Sequence, residues 1–451
     1  MYYFSQLIQW FLIIAGTGIL ALPYACKHGG LLLFVSGMFF ISFWNVYCMK
    51  LLCEAFEYLM VRLGGGSTES VDRSLVKGQQ KTSSILGCFS YERINIEFRD
   101  PPPEGTSAFS ILGWYVLGDF GRWMIDLMML MLLLFINIAL ETAILSFVIL
   151  TPFSSGDKLL DGTILGLFLV PFCIVDNMSA LSKLSRFGLL ILGFALAVVS
   201  WYGSVGKGRF DDVINTTSGT GELDSGKADQ FNLFPLDGIE GVSKWFGCVV
   251  FSFGIVPLTF NFRESMAEPE KLPQTAMISM TIIGIFYVLV GVFFLHLFPN
   301  INNDLLSEMP STGFIATMTR IAMIVVVMAS IPLLTVPCAE IVEGKIMRVK
   351  SGQETRSRKG MVIIRTSILL GTFAIAAKLP GFVSVLAFVG CFAVSIVSFV
   401  LPPCLHWLLL GQGFDHADGI DYPLWSRICD LSMLLIGIST TMITTWFTRS
   451  A

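Results

Sequence analysis

The sequence predicts an all-α membrane protein with eleven transmembrane helices, and two observations carry this prediction. The 451 residues are 54% hydrophobic and only 14% charged, whereas soluble domains carry about 25% charged residues. Apolar segments of about 20 residues, the length at which a helix crosses a bilayer, recur along nearly the whole chain. Transmembrane β-strands are shorter and alternate in polarity, so the pattern favours helices over a barrel.

The positions of Lys and Arg predict the orientation of these spans. Loops 61–119 and 345–360 are rich in both residues, whereas loops 151–159 and 299–311 contain only Lys158 between them. Cytoplasmic loops carry the excess of positive charge, so we expect a cytoplasmic N-terminus. The predicted spans lie near 5–28, 31–60, 120–150, 160–177, 181–203, 243–265, 274–298, 312–344, 361–377, 381–410 and 427–448.

Two long connections separate these spans. Residues 61–107, with a glycine run at the start and three consecutive prolines near the end, are expected to form a flexible cytoplasmic loop. Residues 204–242 are expected outside the cytoplasm. They contain the sequon Asn215-Thr216-Thr217, which fits that side of the membrane.

Composition and motifs argue against several classes of function. The ten cysteines include no CxxC pair and lie mostly in apolar segments, so we expect neither a metal site nor an organic cofactor. The net charge of −4 and the lack of a basic tract argue against nucleic acid as a partner. No HExxH or G-x-S-x-G motif occurs, so an enzyme is not expected.

The first and sixth spans are both interrupted near mid-membrane. Gly16 and Gly18 interrupt the first span, and Gly254 and Pro257 interrupt the sixth. Unwound backbone in a bilayer survives only around a polar cavity. Glycines also form packing faces between helices, which is the alternative explanation for either site alone. Paired interruptions at corresponding positions instead indicate a small-solute site.

Several motifs together resemble the amino acid/auxin permease family. The segments GTGILALPYACKHGG (16–30) and FSFGIVPLTFNFRESMAEPEKLP (251–273) are similar to its first-helix and sixth-helix patterns. SIPLLTVP (330–337) is similar to its eighth-helix pattern and SFVLPPCLHW (398–407) to its tenth. The resemblance runs in order from about residue 10 to 448.

The resemblance implies a LeuT-like fold in one transmembrane domain that spans residues 1–451. A first repeat of five helices (about 5–203) and a second, inverted repeat (about 243–410) would be followed by one extra helix (about 427–448). Helices 1 and 6 would be discontinuous. The implied function is secondary active transport of an amino acid by alternating access.

The same resemblance places the amino acid between the two breaks. Its carboxylate would meet backbone N–H groups of the first span, and its ammonium group would meet carbonyl groups of the sixth. A zwitterion needs donors at one end and acceptors at the other, so this arrangement is chemically sensible. The candidate substrate-binding residues are Ala15, Gly16, Thr17, Gly18, Ile19, Asn137, Ser252, Phe253 and Gly254.

Ion coupling is where the sequence departs from the family pattern. Sodium-coupled relatives carry Asn at the position of Leu12, whereas the hydroxyl of their eighth helix is retained as Ser330. A hard cation wants several oxygen ligands, so the coupling ion is expected to be H⁺, with Na⁺ as the alternative. A sensor that binds amino acids without transporting them is a second alternative. The candidate ion-coupling positions are Leu12, Ile13, His28, Glu141 and Ser330.

Simpler explanations exist for the charged candidates. Glu141 is equally expected to reach the outer interface, and His28 to be interfacial. Arg320, in the eighth span, is expected near the outer boundary with its charge extended toward water. The sequence leaves open the identity of the amino acid, the oligomeric state, and the choice between plasma membrane and vacuolar or lysosomal membrane.

Overall fold

The computed structural model describes residues 17–64, 107–174, 178–206, 232–235, 237–266, 268–310, 313–346, 358–410 and 424–449. In this part of the chain, all regular secondary structure is helical. The helices are α1 (Leu22–Gly29), α2 (Leu31–Gly64), α3 (Ala108–Leu117), α4 (Asp119–Ile149), α5 (Lys158–Ile174), α6 (Met178–Gly206), α7 (Ile239–Ser252), α8 (Thr259–Ser265), α9 (Leu272–Leu297), α10 (Phe314–Ile346), α11 (Arg358–Ala376), α12 (Phe382–Val389), α13 (Leu401–Leu410) and α14 (Leu424–Arg449).

Eight helical segments are long and apolar enough to cross a membrane: Leu31–Met60, Asp119–Ile149, Ile239–Glu264, Pro269–Leu297, Phe314–Glu343, Lys359–Ala376, Phe382–Leu410 and Leu424–Thr448. The all-helical membrane class is therefore confirmed. The eight segments match eight of the eleven predicted spans. The first predicted span is described only from Thr17 onward. The fourth corresponds to α5, and the fifth to α6, which contains the shorter apolar stretch Leu190–Val205.

The sixth predicted span is divided into two helices. Helix α7 ends at Ser252, and a 3₁₀ turn over Val256–Leu258 leads into α8. Pro257 has no N–H to donate, and Gly254 leaves helical geometry at little cost, so the interruption falls where these residues stand. The first span likewise shows a 3₁₀ turn over Thr17–Ala21 before α1.

The tenth predicted span changes winding at its centre. Between α12 and α13, the segments Gly390–Val394 and Ile396–Val400 are π-helical. Gly390 lies so close to the backbone of Gly247 on α7 that a Cβ at either position would collide with its neighbour. Such wide turns occur often at functional sites, and this one brings α7 and the tenth span into backbone contact.

Packing places the first break inside the molecule. Helix α1 lies against α7, where Gly29 sits on the ring of Trp245 and Gly241 sits on the carbonyl of His28. Helix α2 packs along α9, and α4 packs along α10. The predicted loops lie mainly outside the described residues, which resume before α3 at Ser107. The sequon at Asn215 also falls outside them.

Candidate substrate-binding site

The 3₁₀ turn of the first span and the end of α7 meet at Gly18 and Ser252. A Cβ placed on Gly18 would lie 2.5 Å from Ser252 Oγ and 3.0 Å from Ser252 Cα, closer than side-chain carbons approach other groups. Only glycine allows the first-span turn to rest on the end of α7 in this way. Two candidate residues separated by more than two hundred positions are therefore in direct contact.

The first-span side of this contact is a buried turn. Gly18 and Ile19 are buried, and Thr17 is half-buried at the start of the 3₁₀ turn. The other first-span candidates, Ala15, Gly16, Leu12 and Ile13, lie outside the described residues.

On the sixth-span side, hydrogen bonds within the protein already occupy several polar groups around the break. Ser252 Oγ donates to the Cys248 carbonyl at 2.8 Å, and the Tyr287 hydroxyl donates to the Ser252 carbonyl at 3.3 Å. The Phe253 carbonyl accepts the N–H of Ile255 at 2.6 Å. Among the described residues, no donor is paired with the Gly254 carbonyl. Within this part of the chain, the Gly254 carbonyl is therefore a candidate acceptor for a ligand.

Tyr287, on α9, was not predicted from the sequence. Its ring is fully buried, with its centroid 5.2 Å from that of Phe253. The side chain therefore holds both the ring and the backbone that begin the sixth-span break. Nothing in the seventh span distinguishes this Tyr from an ordinary core aromatic, so no local signal marks it.

Asn137 and Glu141 form a buried polar pair of residues one turn apart on α4. Neither side chain is exposed. Within the described part of the chain, both polar atoms of Asn137 lack a hydrogen-bond partner, and so does Glu141 Oε2. Glu141 Oε1 accepts the Thr372 hydroxyl of α11 at 2.8 Å. Unmatched buried polar atoms are costly, so Asn137 and Glu141 are candidates for contact with a bound solute or with the part of the chain outside the described residues.

The π-helical segment links α4 to the sixth-span break. Phe392 meets Phe135 of α4 with ring centroids 5.7 Å apart. Val394 lies 3.3 Å from the position that a Cβ on Gly254 would take. The segment thus contacts the helix of Asn137 on one side and the sixth-span break on the other.

The connection between α9 and α10 covers the first break. The Leu305 N–H donates to the Leu20 carbonyl at 3.2 Å. Lys27 Nζ donates to the Ile301 carbonyl at 2.8 Å and lies 3.2 Å from Asn302 Oδ1. The covering loop, which we define as residues 301–310, therefore sits directly on the turn that contains Gly18.

Arg320 holds this covering loop, and the expectation that it extends toward water was wrong. Its guanidinium is fully buried and donates to the carbonyls of Met309 at 2.7 Å and Leu306 at 3.2 Å. It also donates to Pro310 at 3.0 Å and to Leu150 at 3.3 Å. The guanidinium has five N–H donors in a rigid fork, and a buried Arg must pair them within the protein. Here the backbone carbonyls accept the hydrogen bonds that water would accept at the surface.

Asp304 lies buried within the covering loop. Its Oδ1 accepts the N–H groups of Leu306 at 2.9 Å and Ser307 at 3.1 Å, whereas Oδ2 has no partner among the described residues. Burial raises the pKa of this carboxyl to about 6. The loop therefore contains a group that changes charge in the mildly acidic range.

The remaining ion-coupling candidates lie in ordinary settings. His28 ends the first span, and its Nδ1 is 2.9 Å from Asp237 Oδ2, ahead of α7. Ser330 donates to the Val326 carbonyl of its own helix at 3.2 Å. Glu141 alone of these three is wholly buried, so the expectation that it reaches the outer interface was wrong.

Comparison with known proteins identifies the family. The family described as "Transmembrane amino acid transporter protein" matches residues 8–68 and 98–450. Amino acid transporter ANT1 of Arabidopsis thaliana is 25% identical over 442 residues, covering 94% of this chain and 87% of the relative. Amino acid transporter AVT3A of the same plant is 22% identical, covering 97% and 86%.

A fungal relative extends the comparison. Vacuolar amino acid transporter 4 of Saccharomyces cerevisiae is 22% identical, covering 96% of this chain and 56% of the relative. These relatives are named as transporters and not as enzymes, which confirms the expectation that the chain is not an enzyme. The match to the family spans nearly all of the sequence. The chain belongs to the transmembrane amino acid transporter protein family.

Proposed function

We propose that the chain is a secondary active transporter of amino acids that holds its substrate between the first and sixth helix breaks and works by alternating access. In this proposal the chain has eleven transmembrane helices in a LeuT-like arrangement of two inverted repeats plus one helix. The names of the relatives, which call them amino acid transporters, support the choice of substrate.

The observation that carries the proposal is the contact between Gly18 and Ser252. It brings together a helical turn, whose first N–H groups have no acceptor within the turn, and a broken helix with an available carbonyl at Gly254. A turn of this kind favours a carboxylate, and an available carbonyl favours an ammonium group. The first-span turn would thus bind the carboxylate of an amino acid, and the sixth-span carbonyl would bind its ammonium group.

We propose H⁺ as the coupling ion, with Glu141 as the group that carries it. Glu141 is buried, has one unmatched oxygen, and lies one turn from the unmatched Asn137. Burying an ionisable residue inside a membrane protein costs free energy, so a residue such as Glu141 is a candidate for a functional role. The sodium alternative has less support because the side chain of Leu12 offers no oxygen at a position where sodium-coupled relatives carry Asn.

The location of the protein is also part of the proposal. The yeast relative is named a vacuolar transporter, which favours a vacuolar or lysosomal membrane over the plasma membrane. With the N-terminus in the cytoplasm, the covering loop would face the lumen. An acidic lumen would then supply the protons.

Uptake by the purified protein in liposomes tests this function. A panel of radiolabelled amino acids is offered with a pH gradient and no Na⁺, and then with a Na⁺ gradient at constant pH. We expect saturable accumulation of at least one amino acid, driven by the pH gradient alone. A requirement for Na⁺ would establish the sodium alternative, and binding without uptake at any gradient would establish the sensor.

A further inference from the structure

A second cluster of titratable groups joins helices from the two ends of the chain. It consists of Tyr47 and Glu54 on α2, His406 on α13 and Asp430 on α14, and we call it the His406 cluster. His406 Nδ1 lies 2.7 Å from Asp430 Oδ2, and Nε2 lies 3.5 Å from Glu54 Oε2. The His406 and Asp430 side chains are 1% and 0% exposed, and Glu54 is 44% exposed.

The contacts favour a positive charge on the imidazole. Nδ1 is within hydrogen-bond distance of Asp430 and Nε2 is at ion-pair distance from Glu54, so a ring that carries both protons meets a carboxylate on each side. The Tyr47 hydroxyl donates to the other oxygen of Asp430 at 3.1 Å, which supports an ionised Asp430. The buried charge of Asp430 is thus balanced by an imidazolium, as burial requires.

Other charged groups also lie around the cluster. Lys50 lies 3.4 Å from Glu54 on α2, and its side chain is more than half exposed. Arg427 precedes Asp430 by one turn of α14, and both residues make further contacts. Arg263 of α8 pairs with Glu57, the next acid along α2. Helix α3, which also packs on α13, carries no charged residue.

We propose that the His406 cluster is a proton-binding clasp between the two repeats of the transporter. This inference rests on the proposed function, because the two halves must move against each other only if the protein transports. Helix α2 belongs to the first repeat, α13 to the second, and α14 is the extra helix. The cluster joins all three through one ring.

Loss of a single proton opens the clasp. When the imidazolium releases its proton to water beside the half-exposed Glu54, Asp430 and Glu54 are left as two anions with a neutral ring between them. The two carboxylates then repel each other, whereas before the proton was lost both were attracted to the imidazolium between them. Rising pH on the side that Glu54 faces, which the proposed orientation makes cytoplasmic, therefore separates the inner ends of α2 and α14.

Distance measurement by pulsed EPR tests the clasp without requiring transport. Spin-labelled non-natural amino acids replace Met60 on α2 and Leu424 on α14, which are 51% and 70% exposed. In the otherwise wild-type protein we expect the distance to grow by roughly 3–5 Å between about pH 5.5 and pH 8. His406→Gln should give the longer distance at both pH values.

A matched histidine variant and a second cluster variant keep the test decisive. His296→Gln, on α9 outside the cluster, should switch as the wild type does. A wild-type distance that ignores pH, or a His406→Gln protein that still switches, would overturn the proposal. If His406→Gln does not fold, Glu54→Gln serves instead, and its transition should move to lower pH because one of two stabilising carboxylates is gone. An unmoved transition overturns the clasp.

Exchange of labelled amino acid across liposomes at equal pH on both sides connects the clasp to transport. We expect wild-type exchange to rise about fivefold as pH increases through the range in which histidine titrates. His406→Gln should stay near the high-pH rate. Absence of exchange in a wild-type protein whose distances still switch would refute the proposed function and leave the clasp standing. Equal pH profiles of exchange in both proteins would refute the role of the clasp in transport.

Discussion

Gly18 matters through the side chain that it lacks. Its Cα faces Ser252 so closely that even a methyl group would need the first-span turn and the end of α7 to separate. Overpacking of this kind usually costs about 1–3 kcal/mol, and here the strain falls on the two segments that we propose to hold the substrate. A substitution at Gly18 is therefore expected to affect transport more than folding.

We expect Gly18→Val to abolish amino acid uptake while the protein is still produced and stays monodisperse in detergent. Gly193→Val on α6 is the matched control, since a Cβ there meets nothing within 4 Å. Uptake into liposomes and size-exclusion chromatography measure the two effects. Wild-type uptake by Gly18→Val would contradict the site.

Glu141→Gln keeps an oxygen that accepts the Thr372 hydroxyl but cannot release a proton. We expect the pH gradient to lose its ability to drive accumulation, while exchange of labelled for unlabelled amino acid at equal pH continues. Accumulation by the variant that still follows the pH gradient would assign proton coupling to another group. Thr372→Val is the control, because it removes the hydrogen bond and leaves the carboxyl.

Sequence patterns identify the breaks but not their partners. Gly18 and Gly254 stand out because glycine within an apolar span has few explanations. Tyr287 and Arg320 resemble ordinary core and interface residues, and their roles depend on contacts with other elements. Asp430 and His406 are likewise unremarkable until the helices that carry them are placed side by side. Local propensity contains no such long-range information.

At the scale of elements, the break in the sixth span depends on support from α9. The Tyr287 hydroxyl occupies the Ser252 carbonyl, and the ring packs on Phe253. Together they fix where α7 ends and how the Gly254 carbonyl is presented. Helix α9 is thus a support for the site and not only a neighbour.

Tyr287→Phe should raise the KM for the amino acid about fivefold with a smaller change in the maximal rate, because one hydrogen bond of about 1 kcal/mol is lost while the packing stays. Tyr202→Phe on α6, whose ring contacts Trp201, is the control. Concentration-dependent uptake measures both constants. An unchanged KM would show that the hydroxyl does not position the break.

The covering loop should dock more firmly as pH falls. Burial raises the pKa of Asp304 from 3.8 to about 6, so the docked loop binds more protons than the undocked loop between these values. Docking therefore gains free energy as pH falls from about 7 to 4, by up to about 3 kcal/mol.

Hydrogen exchange measures this change. After correction for intrinsic rates, amides of the covering loop should be protected about tenfold or more at pH 5 relative to pH 7.5. Asp304→Asn keeps the acceptor oxygen and should remove the difference. Protection that does not depend on pH in the wild type would contradict this account.

On the scale of the whole molecule, a buried ion pair connects three helices. Arg365 Nε on α11 lies 3.1 Å from Glu343 Oε1 on α10, and Arg365 also donates to the Cys173 carbonyl of α5 at 2.8 Å. Both side chains are almost completely buried. Loss of one partner leaves a buried charge without compensation, which is far more harmful than loss of an exposed pair.

Glu343→Gln should therefore destabilise the protein by about 3–5 kcal/mol, whereas Asp119→Asn, which breaks the exposed pair with Arg122, should cost less than about 1 kcal/mol. The double variant Glu343→Gln, Arg365→Met should recover part of the loss. Thermal unfolding in detergent ranks the four proteins. Equal stability of the two single variants would refute a structural role for the pair.

The helical membrane class was predictable because bilayer thickness imposes a length and a polarity on each span. The interruption of the sixth span was predictable because Gly254 and Pro257 act locally. The π-helical stretch from Gly390 was not, because it follows from the backbone contact with Gly247 of α7. When a change in helical winding is caused by contact with another helix, the local sequence does not predict it.

The grip of Arg320 on the covering loop determines which contact yields first. Arg320 of α10, which is fully buried, binds three loop carbonyls and the Leu150 carbonyl at the end of α4. The loop is joined to the first span by the partly buried Lys27 and by the peptide hydrogen bond from Leu305 to Leu20. The buried contacts of Arg320 should be the harder ones to break. In the proposed transport cycle the loop would therefore stay attached to α10, and passage to that side of the membrane would open when the first-span turn moves away from the loop.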